Sequence, residues 1–568
     1  MATNSGILET VELQLPQGRI RGATRETVNG ITYYSFEGIP YALPPVGKLR
    51  FRAPKPFGNW KDTLDCTNSP PKPVQKNNRA GKADGSEDCL YLNVFTKNID
   101  AVSKQMPVMV WIYGGGFQSG HAARGHHGPD YLLQEDIVFV SLNYRLDSLG
   151  FLSLSDPNLD VPGNAALKDQ LLALKWIKKN IHYFGGNCNN ITLLGESAGA
   201  TCVHFLSLTE QSRDLFQRAI LMSGSSLCPW ALMTRRDLAY QLAVRHGYKG
   251  ENKDSDVLAY LENLDAGKLV EHSLVNDDES RYFLPLTFAP TVEPYESDNC
   301  IIPTEPFNML RTAWSNSIPI LMGGTSFEGL LLYPHLKMSQ HILDIVRQQP
   351  EILLPAELRR AHNKIENRIM SERILKLYFG EQRDEVVLKQ PNQDPLFDLM
   401  HLCSHRLFWH GLHRTALARM KYATANTFLY RFDFDSPTFN HHRLRFCGQD
   451  CVNGVAHADD LSYLFYLQES NKLAKDTHEY VTIQRMVGIW TTFAKFGDPN
   501  CAHIEPHVWL PIVKKSPDYG LNISHEVQVM QIPDAPKLKE WDALYDKRML
   551  YGSVSDIEED FEESTSTK

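Results

Sequence analysis

Short apolar runs alternate along the chain with segments of helical periodicity. Val108 to Tyr113, Ile137 to Asn143, Ile191 to Leu194, Ala219 to Met222, Ile318 to Met322 and Thr427 to Phe432 are largely apolar. Strands covered on both faces read this way. Between them, residues 164–181 carry Leu167, Leu171, Leu174 and Ile177 at helical spacing, with Lys175, Lys178 and Lys179 on the other face. Ala198 to Leu208 is a second helix-forming run. Buried strands separated by helices predict an α/β protein with a mostly parallel central sheet flanked by helices. Near the start, Val11, Leu13 and Leu15 alternate ahead of Gly18, Ile20 and Gly22, which predicts a small edge β-structure over residues 10–35. The run from Phe36 to Gly47 holds three prolines and two glycines, and predicts a rigid, extended surface segment. Residues 66–89, between Cys66 and Cys89, read as a polar loop. Residues 230–310 and 336–425 read as helical insertions above the sheet.

The candidate chemistry starts at Gly195-Glu196-Ser197-Ala198-Gly199, between an apolar strand and a helix. A strand that turns at once into a helix strains its corner residue and requires tiny neighbours, which exposes the Ser197 hydroxyl at the end of the sheet. A serine hydroxyl is a weak nucleophile until a base takes its proton and a carboxylate orients that base. Glu328 lies just beyond a strand, in Gly323-Gly324-Thr325-Ser326-Phe327-Glu328-Gly329. His457 follows it in Gly454-Val455-Ala456-His457-Ala458-Asp459-Asp460, a loop that opens a helix, so the order is serine, acid, histidine. The adjacent pair His441-His442 reads as surface. Gly114-Gly115-Gly116-Phe117, directly after a strand, suits an oxyanion hole, with the N–H of Ala198 as a further donor. These glycines are not followed by a Lys-Ser/Thr pair, so a phosphate-binding loop is disfavoured.

Composition narrows the setting. The chain has 568 residues, 42% hydrophobic and 22% charged, with a formal net charge of -9. A mildly acidic surface argues against nucleic acid or an anionic membrane as the main partner. No window approaches the length of a transmembrane helix. The first residues lack the basic and apolar stretches of a signal peptide, and ten cysteines in so long a chain are no disulfide scaffold. These features predict a cytoplasmic protein. Cys66 and Cys89 are left open as either a bridge or two free thiols. Sequons stand at Asn190 and Asn522. Residues 1–553 are expected to form one domain, and the acidic stretch 554–568 a disordered tail.

Taken together, FEGIPYALPPVG, SEDCLYLNV, YGGGF, NYRL, DQLLALKWI, NITLLGESAG, GGTSFEG and GVAHADDLSYLF resemble the type-B carboxylesterases of the cholinesterase-like α/β-hydrolases. MSGSSLCPW, PTVEPY and YRFDFDS narrow the resemblance to insect alpha-esterases. The resemblance implies an α/β-hydrolase fold and cofactor-free and metal-free hydrolysis of small-molecule esters by a monomer or homodimer. It implies a triad of Ser197, Glu328 and His457 and an oxyanion hole of Gly115, Gly116 and Ala198. It also implies Trp230 as an acyl-pocket wall, Arg50–Glu87 and Arg145–Asp169 as structural ion pairs, sensitivity to organophosphates and a detoxifying role. A catalytically dead adhesion protein, a juvenile hormone esterase and a lipid ester hydrolase are the alternatives. The departures bear on these. The 66–89 loop has no tryptophan, so a choline cage is missing and choline esters are rejected. Glu196 stands where juvenile hormone esterases usually carry glutamine, and Asp147 replaces the glycine of the family's NYRLG.

Overall fold

The computed structural model describes residues 6–77, 81–99, 105–275, 283–339, 341–380, 395–448, 453–467 and 472–553. The expected tail, 554–568, lies outside them, as does Cys451. A 13-stranded mixed sheet runs through the molecule. Its first edge is antiparallel: β1 (Glu9–Leu15), β2 (Gly18–Glu26), β3 (Thr32–Pro40), with β4 (Leu64–Asp65) beside β2. A separate small hairpin, β5 (Gln75–Asn77) with β6 (Lys82–Asp84), gives the 66–89 loop more order than its polarity predicts. The sheet continues through β7 (Tyr91–Thr96), β8 (Met106–Ile112), β9 (Val138–Leu142), β10 (Gly186–Glu196), β11 (Arg218–Met222), β12 (Ile320–Thr325), β13 (Thr427–Phe432), β14 (Tyr519–Ile523) and β15 (Val527–Gln531). In space the order is β1-β2-β3-β7-β9-β8-β10-β11-β12-β13-β14-β15, parallel from β9 to β14.

The apolar runs become these central strands because both faces are covered. Val108, Val110, Ile191, Leu193, Ile220, Leu221, Ile320 and Leu321 are all fully buried. Each such side chain contributes roughly 1.5–3 kcal/mol on leaving water. Helices α1 (Ala165–Asn180) and α2 (Ala198–Leu208) supply part of that cover. The first insertion holds short helices at Leu238–Arg245, Asp254–Glu262, Ala266–Val270 and Pro306–Met309. The second holds Ile342–Gln348, Ala356–Ala361, Lys364–Phe379, Pro395–Ser404 and His410–Tyr422, with a π-helical turn at His405–Trp409.

One expectation is corrected and one open alternative is resolved. The stretch Phe36 to Gly47 is not all surface: Phe36, Ile39 and Pro40 extend β3 against β7, and Phe36, Ile39 and Tyr41 are buried, while Val46 and Gly47 at its end are exposed. A register shift between Phe36 and Ile39, with Gly38 at φ +86°, lets the strand carry its glycine, and Pro40 is tolerated because it closes the strand. Cys66 and Cys89 are not bridged; both are free, buried thiols. Sγ of Cys66 faces the carbonyl of Gly38, whereas Cys89 sits beside Asp169 and Arg145. Burial pushes the Cys66 thiol up to about 12 and raises Cys89 as well. The two ion pairs do form: Arg50–Glu87 and Arg145–Asp169, each at 2.6 Å.

Candidate active site

The site lies where adjacent parallel strands end together, the place at which open α/β sheets bind ligands. Gly195 is level with Ile112 across β10 and β8, Glu196 with Met222 across β10 and β11, and Met222 with Gly323 across β11 and β12. The residues following these ends are the glycine loop after β8, Ser197 after β10, Ser223 after β11 and Glu328 after β12.

Ser197 stands at φ +56°, ψ -124°, between strand and helix. Its N–H donates to the Met222 carbonyl at 2.8 Å. The flanking glycines are required by volume: a Cβ on Gly199 would collide with the carbonyl of Ile112, and one on Gly195 with the backbone of Gly199. A Cβ on Gly114 would stand 3.0 Å from Cβ of Ser197, so the glycine loop passes against the serine. In that loop Gly115 and Gly116 have φ of +109° and +62°. Ala198 opens α2, so its N–H has no acceptor within the helix.

Glu328 is fully buried at the start of a 3-10 turn. Its Oε1 accepts from the Ser223 hydroxyl (2.6 Å) and the Thr325 N–H (2.7 Å); its Oε2 lies 2.5 Å from Nδ1 of His457. A carboxylate only accepts, so Nδ1 carries the proton. The loop of His457 is pinned on several sides. Phe327 N–H donates to Val455 O, Ala456 N–H donates to the Asp459 carboxylate, and Arg443 Nη1 donates to Gly454 O. The expected helix beyond it is a 3-10 turn, Asp459–Tyr463. Phe408, from the π-helical turn, covers the His457 ring at 4.5 Å between centroids.

His457 Nε2 lies 3.0 Å from Oε1 of Glu196, the residue preceding Ser197. That oxygen is buried without an aligned hydrogen bond, so the contact is Coulombic rather than directional. Burial pulls the imidazole pKa down, but the charges of Glu196 and Glu328 more than offset it and raise it to about 10. Burial, together with those two charges, holds the Asp460 carboxyl well above the ordinary carboxylate range; Tyr430 Oη donates to it at 3.1 Å. His441 and His442 are half-buried, which corrects the surface assignment. Burial and the nearby His457 push His442 down to about 3. Trp230 packs between Phe117 (6.0 Å) and Phe408 (5.8 Å), with its Nε1 donating to Leu407 O.

The sequence profile of the carboxylesterase family matches residues 9–541. The chain belongs to the carboxylesterase family. Esterase B1 of Culex pipiens is 40% identical over 544 residues, covering 95% of this chain and 98% of that protein. Juvenile hormone esterase of Tribolium castaneum is 31% identical over 510 residues, covering 85% and 83%. Among solved structures, juvenile hormone esterase from Manduca sexta, with OTFP covalently attached, superposes with a TM-score of 0.81 at 27% identity. It covers 94% of this chain and 100% of its own. The fold is thus that of an α/β-hydrolase and the enzyme class that of a carboxylic ester hydrolase. Against this carboxylesterase frame, sequence reasoning missed Ser223, Phe408 and Asp460. Ser223 had a usable signal: it ends a strand next to the elbow strand. Phe408 had none, since it lies within a helical insertion.

Proposed function

We propose that the chain is a serine carboxylesterase in which Ser197 is the nucleophile, His457 its base and Glu328 the carboxylate that orients the base. The observation that carries this reading is the buried Glu328–His457 hydrogen bond, formed by a ring that lies against Glu196 at the serine elbow. Ser197 Oγ attacks the ester carbonyl carbon while Nε2 of His457 takes its proton. The tetrahedral oxyanion faces the N–H groups of Gly115, Gly116 and Ala198, each such donor worth about 3 kcal/mol in the transition state. On collapse the imidazolium returns the proton to the departing alcohol, and the acyl group remains on Ser197. Water then repeats the sequence and frees the acid. Glu196 and Glu328 favour the imidazolium formed during each attack.

The aromatic cluster of Phe117, Trp230 and Phe408, which reaches the His457 ring, supports small to medium acyl groups as substrates. The free, buried thiols of Cys66, Cys89, Cys202 and Cys228 support a reducing, cytoplasmic setting. Asn522 is buried and accepts from Arg431, and Asn190 is tied to Arg218 and to Lys495 O, so neither sequon offers a free side chain. Ser197→Ala is expected to lower hydrolysis of a short p-nitrophenyl ester by roughly 10⁶-fold with an unchanged circular dichroism spectrum. An active Ser197→Ala protein would overturn the assignment. A chain-length series of acyl esters, with mass spectrometry for an organophosphate adduct on Ser197, defines the substrate class.

A further inference from the structure

We infer that the buried pair Asp147–His272 positions the oxyanion loop, an inference that rests on the esterase reading above. The loop has a costly backbone. Gly115, Gly116 and Phe117 stand at φ +109°, +62° and +61° in succession, and the third is not a glycine. A bulky residue held there costs of order 1–3 kcal/mol and persists only where its surroundings dictate it. Within the loop, the N–H groups of Gln118 and Ser119 donate to Gly115 O at 3.1 and 3.0 Å. The carbonyl of Phe117 is held from outside, by the N–H of Asp147 at 2.7 Å.

Asp147 is itself strained, at φ +52°, a conformation that favours glycine. Glycine would supply the same N–H without strain, so the side chain has to account for the residue's presence. Its Oδ1 accepts from the Ser148 N–H (2.6 Å) and from Nε2 of His272 (2.8 Å). The side chains of Asp147 and His272 are only 6% and 4% exposed. Ser148 Oγ adds a bond to Leu269 O at 2.8 Å, so two consecutive residues fasten to the segment 269–272.

The neighbouring stretch leans on the loop from another side. A Cβ on Gly116 would stand 2.9 Å from Leu286, Gln118 Nε2 donates to Pro285 O at 3.0 Å, and Phe288 meets the His272 ring edge-on at 5.5 Å. The glycine loop is thus clamped between Leu286 and the Asp147 strut, and His272 touches Asp147 and Phe288. Oxyanion donors stabilise a transition state only if they are rigid before charge develops. Asp147 and His272 are therefore positioning residues, acting on Gly115 and Gly116 through Phe117.

The test separates positioning from stability. Asp147→Gly relieves backbone strain, so its melting temperature should equal or exceed that of the parent. Its kcat should nevertheless fall roughly ten-fold, with KM within about two-fold. Phosphorylation of Ser197 by an organophosphate, whose phosphoryl oxygen uses the same donors, should slow in proportion. Asp147→Asn, whose amide oxygen can still accept from His272, should recover most of kcat. His272→Ala should match Asp147→Gly, and the double variant should be no worse than either. Parent-like kcat in Asp147→Gly, or a loss of kcat that tracks a fall in melting temperature, would overturn the strut. Activity in Ser197→Ala would instead overturn the catalytic reading, whatever the Asp147 variants do.

Discussion

The elbow around Ser197 is held by shape, whereas the loop around His457 is held by charge and directed hydrogen bonds. At the elbow there is no room to spare: Gly195, Gly199 and Gly114 sit where any Cβ would meet backbone or the serine itself. Around His457 the constraints are polar. Glu328 is oriented by Ser223 and Thr325, Asp459 accepts from Ala456 and Arg443, and Arg443 Nη1 donates to Gly454 O. The difference follows from sequence distance. A nucleophile made within ten residues can be fixed by local backbone geometry, but a base delivered from far along the chain must be caught by partners already in place.

The comparison predicts opposite sensitivities. The largest effect should come from volume at the elbow. Gly199→Ala drives a methyl group into the Ile112 carbonyl, at the junction of β8, β10 and α2. We expect a loss of about 3 kcal/mol or more, read as a lower melting temperature or insoluble protein. The same small change in charge, without volume, should spare the fold and remove the chemistry. Glu328→Gln is nearly isosteric, yet its neutral side chain no longer fixes the tautomer or stabilises the imidazolium. Its kcat should fall by roughly 10⁴-fold, with a melting temperature near that of the parent. If Gly199→Ala melts normally and Glu328→Gln unfolds, the division between shape and charge is wrong.

What was legible in the sequence divides along the same line. The elbow, the central apolar strands and α1 announce themselves locally, because burial on both faces demands continuous apolar runs and a tight corner demands glycine. The strands β14 and β15 are five residues each, too short for alternation to stand out. The stretch through Phe36 was misjudged because Pro40 and Gly38 signal a break, while the sheet accommodates both through a register shift. Glu328 and His457 were singled out by order and resemblance. Phe408, which covers the His457 ring, was not, since it is chosen by tertiary proximity and carries no period of its own. Cys66 and Cys89 illustrate the converse: a suggestive pair in sequence need not be bridged.

The smallest effect predicted here falls on a pH profile. Glu196 and Glu328 both raise His457, and Glu196 does so from Nε2, the nitrogen that takes the serine proton in the proposed mechanism. Only the neutral imidazole can act as base, so activity should be lost as pH falls through the histidine's pKa. Glu196→Gln removes one of the two charges that oppose burial, and the pKa must therefore fall. The acid limb of kcat/KM should move to lower pH by roughly one pH unit. The plateau should change little, because glutamine keeps the volume beside Gly114. A profile measured with a short p-nitrophenyl ester from pH 5 to about 11, past the raised histidine pKa of about 10, reads the shift directly. An acid limb that stays in place, or moves up, would mean that Glu196 does not set the charge of His457. The base would then be tuned from the Glu328 side alone, and the contact at Nε2 would be one of packing.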